Sequence, residues 1–153
     1  MATDAPVGYD EFVQAQTANA VDIDALESRL RAQRIETPSW GYGNSGTRFG
    51  VFKQPGAARD VHERLADAAK VHELTGVCPA VALHIPWDKV DDYDALKAEA
   101  ADLGVEIGAI NPNVFQDPAY QFGSFGHRDP AVRQKAVDHM AECVGIMEAT
   151  GSR

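Results

Sequence analysis

Histidine 84 stands at the end of an apolar run, Ala80-Val81-Ala82-Leu83-His84-Ile85, and Trp87 follows three residues later. An imidazole in that position can donate a hydrogen bond to a substrate hydroxyl or accept one from it. It can equally be a satisfied buried histidine, and the run alone leaves both readings open. Trp87 offers a flat apolar wall with one N–H donor, suited to the C–H face of a sugar or a nucleoside, and a core role suits it as well. A second aromatic set, Phe115, Tyr120, Phe122 and Phe125, lies in a stretch rich in Asn, Pro and Gly. Four aromatics there would cover a ligand, a partner or neighbouring core, since such residues are enriched at interfaces. Trp40 and Phe49 make the same case further upstream.

Several chemistries find no support. The sequence has no HExxH, GxGxxG or Walker loop, because Gly41, Gly43 and Gly46 are not followed by Lys-Ser or Lys-Thr. No set of three or four metal ligands and no nucleophile with a base and an orienting group can be assembled from the spacing. Cys78 and Cys143 are far apart and fit no metal or redox pattern, so a reducing, cytoplasmic compartment is expected. Asp91 and Asp92 read as the start of a helix, Asp129 as a helix cap, and His62 and His139 as surface or packing residues. A net charge of -9 argues against nucleic acid and against an anionic membrane surface. No run approaches the length of a transmembrane helix, and the polar first twenty residues do not resemble a signal peptide.

The elements that must position these residues follow from periodicity. Residues 1–20 read as a tail or an uncommitted helix. Asp22 caps a helix that carries Ile23, Leu26 and Leu30 and runs to about Gln33, with Thr37-Pro38 as its stop. Thr47 to Phe52 alternates weakly and reads as a short first strand. Residues 57–75 form a helix with Ala58, Val61, Leu65, Ala68, Ala69 and His72 on one stripe, ended by Gly76. A strand at 80–85 has the continuous apolar pattern of coverage on both faces. A helix at about 90–103 turns Tyr93, Leu96, Ala100 and Leu103 inward, and a strand runs from Val105 to Ile110. A loop spans 111–129, and Pro130 opens a last helix with Val132, Ala136, Met140, Val144 and Met147 as its face.

The order is a helix and then β-α-β-α-β-α, whose crossovers demand parallel strands. In parallel α/β folds the chemistry sits at the carboxyl ends of the strands, which directs attention to His84, Trp87 and the 111–127 loop. At 153 residues the chain is short for a closed (β/α)₈ barrel of about 250 residues. The expected fold is α/β, about three βα units after a helix, with residues 21–153 as a portion of a larger barrel. A small three-stranded domain is the competing view.

Four blocks in order carry a resemblance: Ile35-Glu36-Thr37-Pro38-Ser39-Trp40-Gly41, Gly46-Thr47-Arg48-Phe49, Val81 to Asp88, and Asn111-Pro112-Asn113-Val114-Phe115-Gln116-Asp117. Together they are similar to the L-rhamnose isomerase group of bacterial sugar isomerases, in its broad-specificity branch, over residues 20–153. The resemblance implies the amino-terminal part of a TIM barrel of the xylose-isomerase type, which is not closed within these residues. It implies a homotetramer that uses Mn²⁺ or a similar divalent ion to interconvert an aldose and a ketose, with L-rhamnose and L-rhamnulose foremost. It also assigns substrate-binding positions. His84 matches a histidine at the end of an early strand, and Trp40 matches an aromatic of the substrate wall. Trp87 follows in that wall, and Phe115 falls in the third-strand loop. Phe49 matches an aromatic that reaches a neighbouring subunit's site. The metal ligands and the groups that move hydrogen belong to later strands in the family and are expected beyond Arg153. This chain alone is therefore expected to bind no metal and to be inactive. A sugar epimerase of the same superfamily and a non-enzymatic α/β interaction module are the alternatives.

Overall fold

The computed structural model describes residues 8–44, 46–47 and 50–152. It divides into two units, the first ending at Gln33 and the second beginning at Arg34. The first unit is a pair of helices, α1 (Tyr9–Ala18) and α2 (Ile23–Arg31). Asp22 caps α2 as its position suggested, accepting a hydrogen bond from the Ala25 N–H at 2.9 Å. Neither helix has a buried residue.

The second unit carries three parallel strands, β1 (Glu36–Pro38), β4 (Ala80–Ile85) and β5 (Glu106–Pro112), in the order β1-β4-β5. Between β1 and β4 lie a two-stranded antiparallel pair, β2 (Gly46–Thr47) and β3 (Gly50–Val51), and helix α3 (Val61–Thr75). Helix α4 (Tyr93–Asp102) joins β4 to β5, and α5 (Pro130–Thr150) follows β5. The sheet is open, and the element order is the expected mixed α/β series.

The first sheet strand is not where alternation placed it. Residues 46–47 and 50–51 form the antiparallel pair, and Glu36–Pro38, of which Thr37-Pro38 was assigned to a helix stop, pair with Ala80–Ala82. The extended geometry imposed before a proline suits a strand as well as it stops a helix. An edge strand also tolerates the missing N–H of Pro38.

Register explains the core. Val81, Leu83 and Ile85 of β4 and Ile107 and Ile110 of β5 pack with Leu65 and Ala68 of α3, Leu96 and Ala100 of α4, and Cys143 and Ile146 of α5. Ala80, Ala82 and His84 alternate to the opposite face and are also buried, as a two-sided strand requires.

Helix ends follow their caps. Asp60, Asp92 and Asp129 each accept a backbone N–H at 2.9 Å, from Glu63, Ala95 and Ala131. Hence α3 begins at Val61 rather than 57, and α4 at Tyr93 rather than 90. Leu103, expected inward, sits past the end of α4 and is exposed. Gly76 and Gly151 close α3 and α5 at φ of 72° and 71°, a left-handed conformation that disfavours a side chain.

The face of α5 is the larger correction. Its buried residues are Ala136, Cys143, Ile146 and Thr150, whereas Met140 and Val144 are exposed. Steps of four residues advance about 40° past a full turn, so the series 132, 136, 140, 144 spirals off the buried stripe.

Candidate functional site

The strand alternation that buries Leu83 and Ile85 against the helices turns His84 to the other face at the carboxyl end of β4. Its residue is 6% exposed. Three aromatic rings surround the imidazole: Trp87 at 4.3 Å between centroids and near edge-on, Trp40 at 5.3 Å, and Phe115 at 6.0 Å. Nδ1 of His84 is buried and has no hydrogen-bond partner among the described residues. Loss of water holds the imidazole below its usual pKa, and the nearby His139 pushes the same way. The Asp88 carboxylate opposes them with a smaller effect than burial. The neutral ring lines a cavity of about 340 Å³ together with Trp40, Trp87, Asn111, Pro112 and Phe115.

Each wall comes from a different piece of chain. Trp40 sits in a 3₁₀ turn, Ser39–Gly41, directly after β1. Trp87 belongs to the turn that leaves β4 through a cis Ile85–Pro86 bond. Asn111 is opposite His84 in the parallel register and donates from Nδ2 to the Leu83 carbonyl at 3.2 Å. Phe115 is returned over the imidazole by Asn113, whose Oδ1 accepts the N–H groups of Phe115 at 3.3 Å and Gln116 at 3.0 Å. The Asn113 N–H is tied in turn to the Ile85 carbonyl at 2.9 Å.

Beneath this cage lies a buried polar junction. The Asp88 side chain is fully enclosed. Its Oδ2 accepts the His84 N–H at 2.7 Å and the Ser39 hydroxyl, while Oδ1 accepts from Arg64 Nη1 of α3. The same Arg64 nitrogen approaches the Trp87 carbonyl at 3.5 Å, and the Asp88 N–H returns to the His84 carbonyl at 2.9 Å.

Of the residues singled out from sequence, the structure brings Trp40, His84, Trp87 and Phe115 into one cavity. Phe49 lies outside the described residues. The remaining loop aromatics divide: Tyr120 is buried, while Phe122 and Phe125 are exposed. Sequence reading ended the strand at Ile110 and placed Asn111 at the start of the following loop without giving it a role of its own, and it missed the junction of Ser39, Arg64 and Asp88. Asp88 carried one signal, an acid directly after an apolar strand and its proline, where a turn residue also suffices.

Two other cavities have different characters. One of about 600 Å³ lies toward the amino ends of β4 and β5, with Arg34, Glu36, Lys97 and Glu106 in its lining. Arg34 is paired with Glu106 at 2.7 Å there, and Glu36 accepts the Ala109 N–H at 2.6 Å. Another of about 340 Å³ lies on the far side of Trp87, among Asn113, Asp117, Tyr120, Lys135, His139 and Glu142. Its charges are paired with each other: Lys135 with Asp117 at 2.5 Å and His139 with Glu142 at 3.0 Å, while Glu142 also meets Lys89. His62, on α3, is exposed beside Glu99. Among the described residues, the carboxyl ends of the sheet strands carry one buried side-chain polar atom without a partner, Nδ1 of His84. Among the described residues no group of three His, Cys, Asp or Glu side chains is placed to hold a metal ion.

The chain is similar to two curated proteins. A probable sugar isomerase of Rhizobium meliloti is 42% identical over 150 residues, which is 95% of this chain and 35% of that protein. A probable sugar isomerase of Mesorhizobium japonicum is 39% identical over the same coverage of each. The chain thus spans about a third of the length of the curated relatives it matches. No protein-family model matches it.

Proposed function

We propose that this chain supplies the first three βα units of a (β/α)₈ barrel in a sugar isomerase, and that the complete protein interconverts an aldose and a ketose. L-Rhamnose and L-rhamnulose are the pair put forward. The observation that carries the reading is the buried imidazole of His84, with Nδ1 unpaired and three aromatic rings about it, at the carboxyl ends of parallel strands. Homology to two proteins named as probable sugar isomerases supports the reaction class.

The residues present account for binding and orientation. A sugar has apolar C–H faces and a rim of hydroxyls. The rings of Trp40, Trp87 and Phe115 take the former, and the neutral His84 takes one hydroxyl as donor or acceptor according to its tautomer.

The divalent metal implied for such an isomerase, Mn²⁺ or a similar ion, does not fit the described residues, which offer no shell of ligands. Its ligands and the groups that move hydrogen between C1 and C2 are assigned to the remainder of the protein. The proposed assembly is a cytoplasmic homotetramer in which Phe49 reaches a neighbouring subunit's site.

The test is incubation of the complete protein with L-rhamnose and Mn²⁺, with products separated by chromatography. L-Rhamnulose, formed with metal and lost on chelation, is the expected product. An epimer in place of a ketose would make the protein an epimerase, and no conversion of any aldose tried would remove the enzymatic reading.

A further inference from the structure

We infer that Asp88 is the positioning residue of the sugar cavity: one buried carboxylate sets Trp40, His84 and Trp87 relative to one another without touching the substrate. The kinetic half of this inference rests on the isomerase reading.

The three walls have no continuous element in common. Trp40 follows β1, His84 ends β4, and Trp87 lies in the turn beyond it. Each is nevertheless within two covalent or hydrogen-bonded steps of Asp88. Its Oδ2 takes the hydroxyl of Ser39, the residue before Trp40, and the N–H of His84 itself. Its Oδ1 takes Arg64, which also reaches the Trp87 carbonyl, and Trp87 is the neighbour of Asp88 in the chain. A carboxylate can accept about four hydrogen bonds in fixed directions, so it can hold three strands of chain where a hydroxyl or an amide would leave one donor unmet.

The bonds run to backbone and to neighbours, not to the imidazole ring. Asp88 therefore acts on where the rings stand. Burial sharpens the effect, because Ser39 and the Asp88 side chain are both fully enclosed and no water can replace a lost partner. Arg64, mostly buried, pairs with the carboxylate there.

Ser39→Ala tests this with little risk to folding, since it removes one hydroxyl and leaves the ion pair intact. Asp88→Asn is the stronger variant, because it turns one acceptor into a donor that faces other donors. Thr150→Val is the control: its hydroxyl is equally buried but bonds only within α5, to Ile146 and Met147. In the complete protein carrying 5-fluorotryptophan, Ser39→Ala is expected to move or broaden the Trp40 ¹⁹F resonance without ligand. It should also raise KM for the aldose about five- to tenfold, the worth of one hydrogen bond, with kcat changed less than about twofold. Asp88→Asn should extend the change to the Trp87 resonance, and Thr150→Val should alter neither spectrum nor KM. An unshifted Trp40 resonance, an unchanged KM in Ser39→Ala, or an equal effect from Thr150→Val would overturn the inference. If the wild-type protein turns over no aldose, the isomerase reading falls, and the resonances alone decide whether Asp88 sets the walls.

Discussion

At His84, the burial that creates a hydrogen-bonding vacancy also decides the charge of the group that offers it. Desolvation lowers the imidazole pKa below its ordinary 6.5, so the ring stays neutral into mildly acidic solution. The sign for stability follows from linkage. As pH falls through 6.5 the unfolded chain takes up a proton that the folded one resists. Stability therefore drops from that point and levels off only below the lowered folded value. An NMR titration of the His84 ring in the intact protein is expected to give a midpoint below 6.5. A midpoint at or above 6.5 would mean that water reaches the ring and that the cage is open. His84→Asn should flatten this part of the pH–stability curve. It should also lower kcat/KM on the aldose about tenfold, the effect of losing a hydrogen bond to a buried partner. Unchanged kinetics would remove His84 from the site.

Elements differ in how much of them a sequence pattern can reveal. Strand β4 was legible because five of its six residues are apolar or small, a pattern that admits little else, and its alternation already set His84 apart from Leu83 and Ile85. The caps at Asp22 and Asp129 were legible because a capping carboxylate acts within three residues. Strand β1 was hidden because three residues have no periodicity and owe their conformation to pairing with β4, a contact more than forty residues away in sequence. The Asp88 junction was hidden for the same reason, as its partners Ser39 and Arg64 lie on separate elements. The face of α5 offers a direct check. Ile146→Ala should cost about 2–5 kcal/mol in chemical denaturation, since it empties a packed site, while exposed Val144→Ala should stay within about 0.5 kcal/mol. Equal costs would place both residues in the interface.

Strand β5 poses a second element-scale case. Its register with β4 slips between Val81 and Leu83, and the Glu36 carboxylate reaches from β1 to the Ala109 N–H at that irregularity. A Cβ on Gly108 would collide with that carboxylate. Gly108→Ala should thus cost about 1 kcal/mol by displacing Glu36 from an exposed hydrogen bond, and it should cost much less when Glu36 is already Ala. Additive effects in the double-mutant cycle would show that the glycine is required for another reason.

For the whole molecule, the sheet itself sets the terms. Among the described residues no strand pairs with the outer edge of β1 or of β5, although parallel sheets are stable when enclosed and their edges invite pairing. Glu36 of β1 and Glu106 of β5 stand exposed. A sugar held at His84, Trp40, Trp87 and Phe115 would be gripped along one side, since the cavity they line is open to the rest. Binding and turnover should therefore separate when this chain is compared with the complete protein. Residues 1–153 produced alone are expected to show no aldose–ketose conversion with Mn²⁺ present. They should bind sugar at least about tenfold more weakly than the complete protein, having lost one or more hydrogen bonds to it. Light scattering should find them associating through their free strand edges. Metal-dependent turnover by the isolated chain, abolished by chelation, would overturn this reading, because the reacting groups would then have to lie within the three strands described.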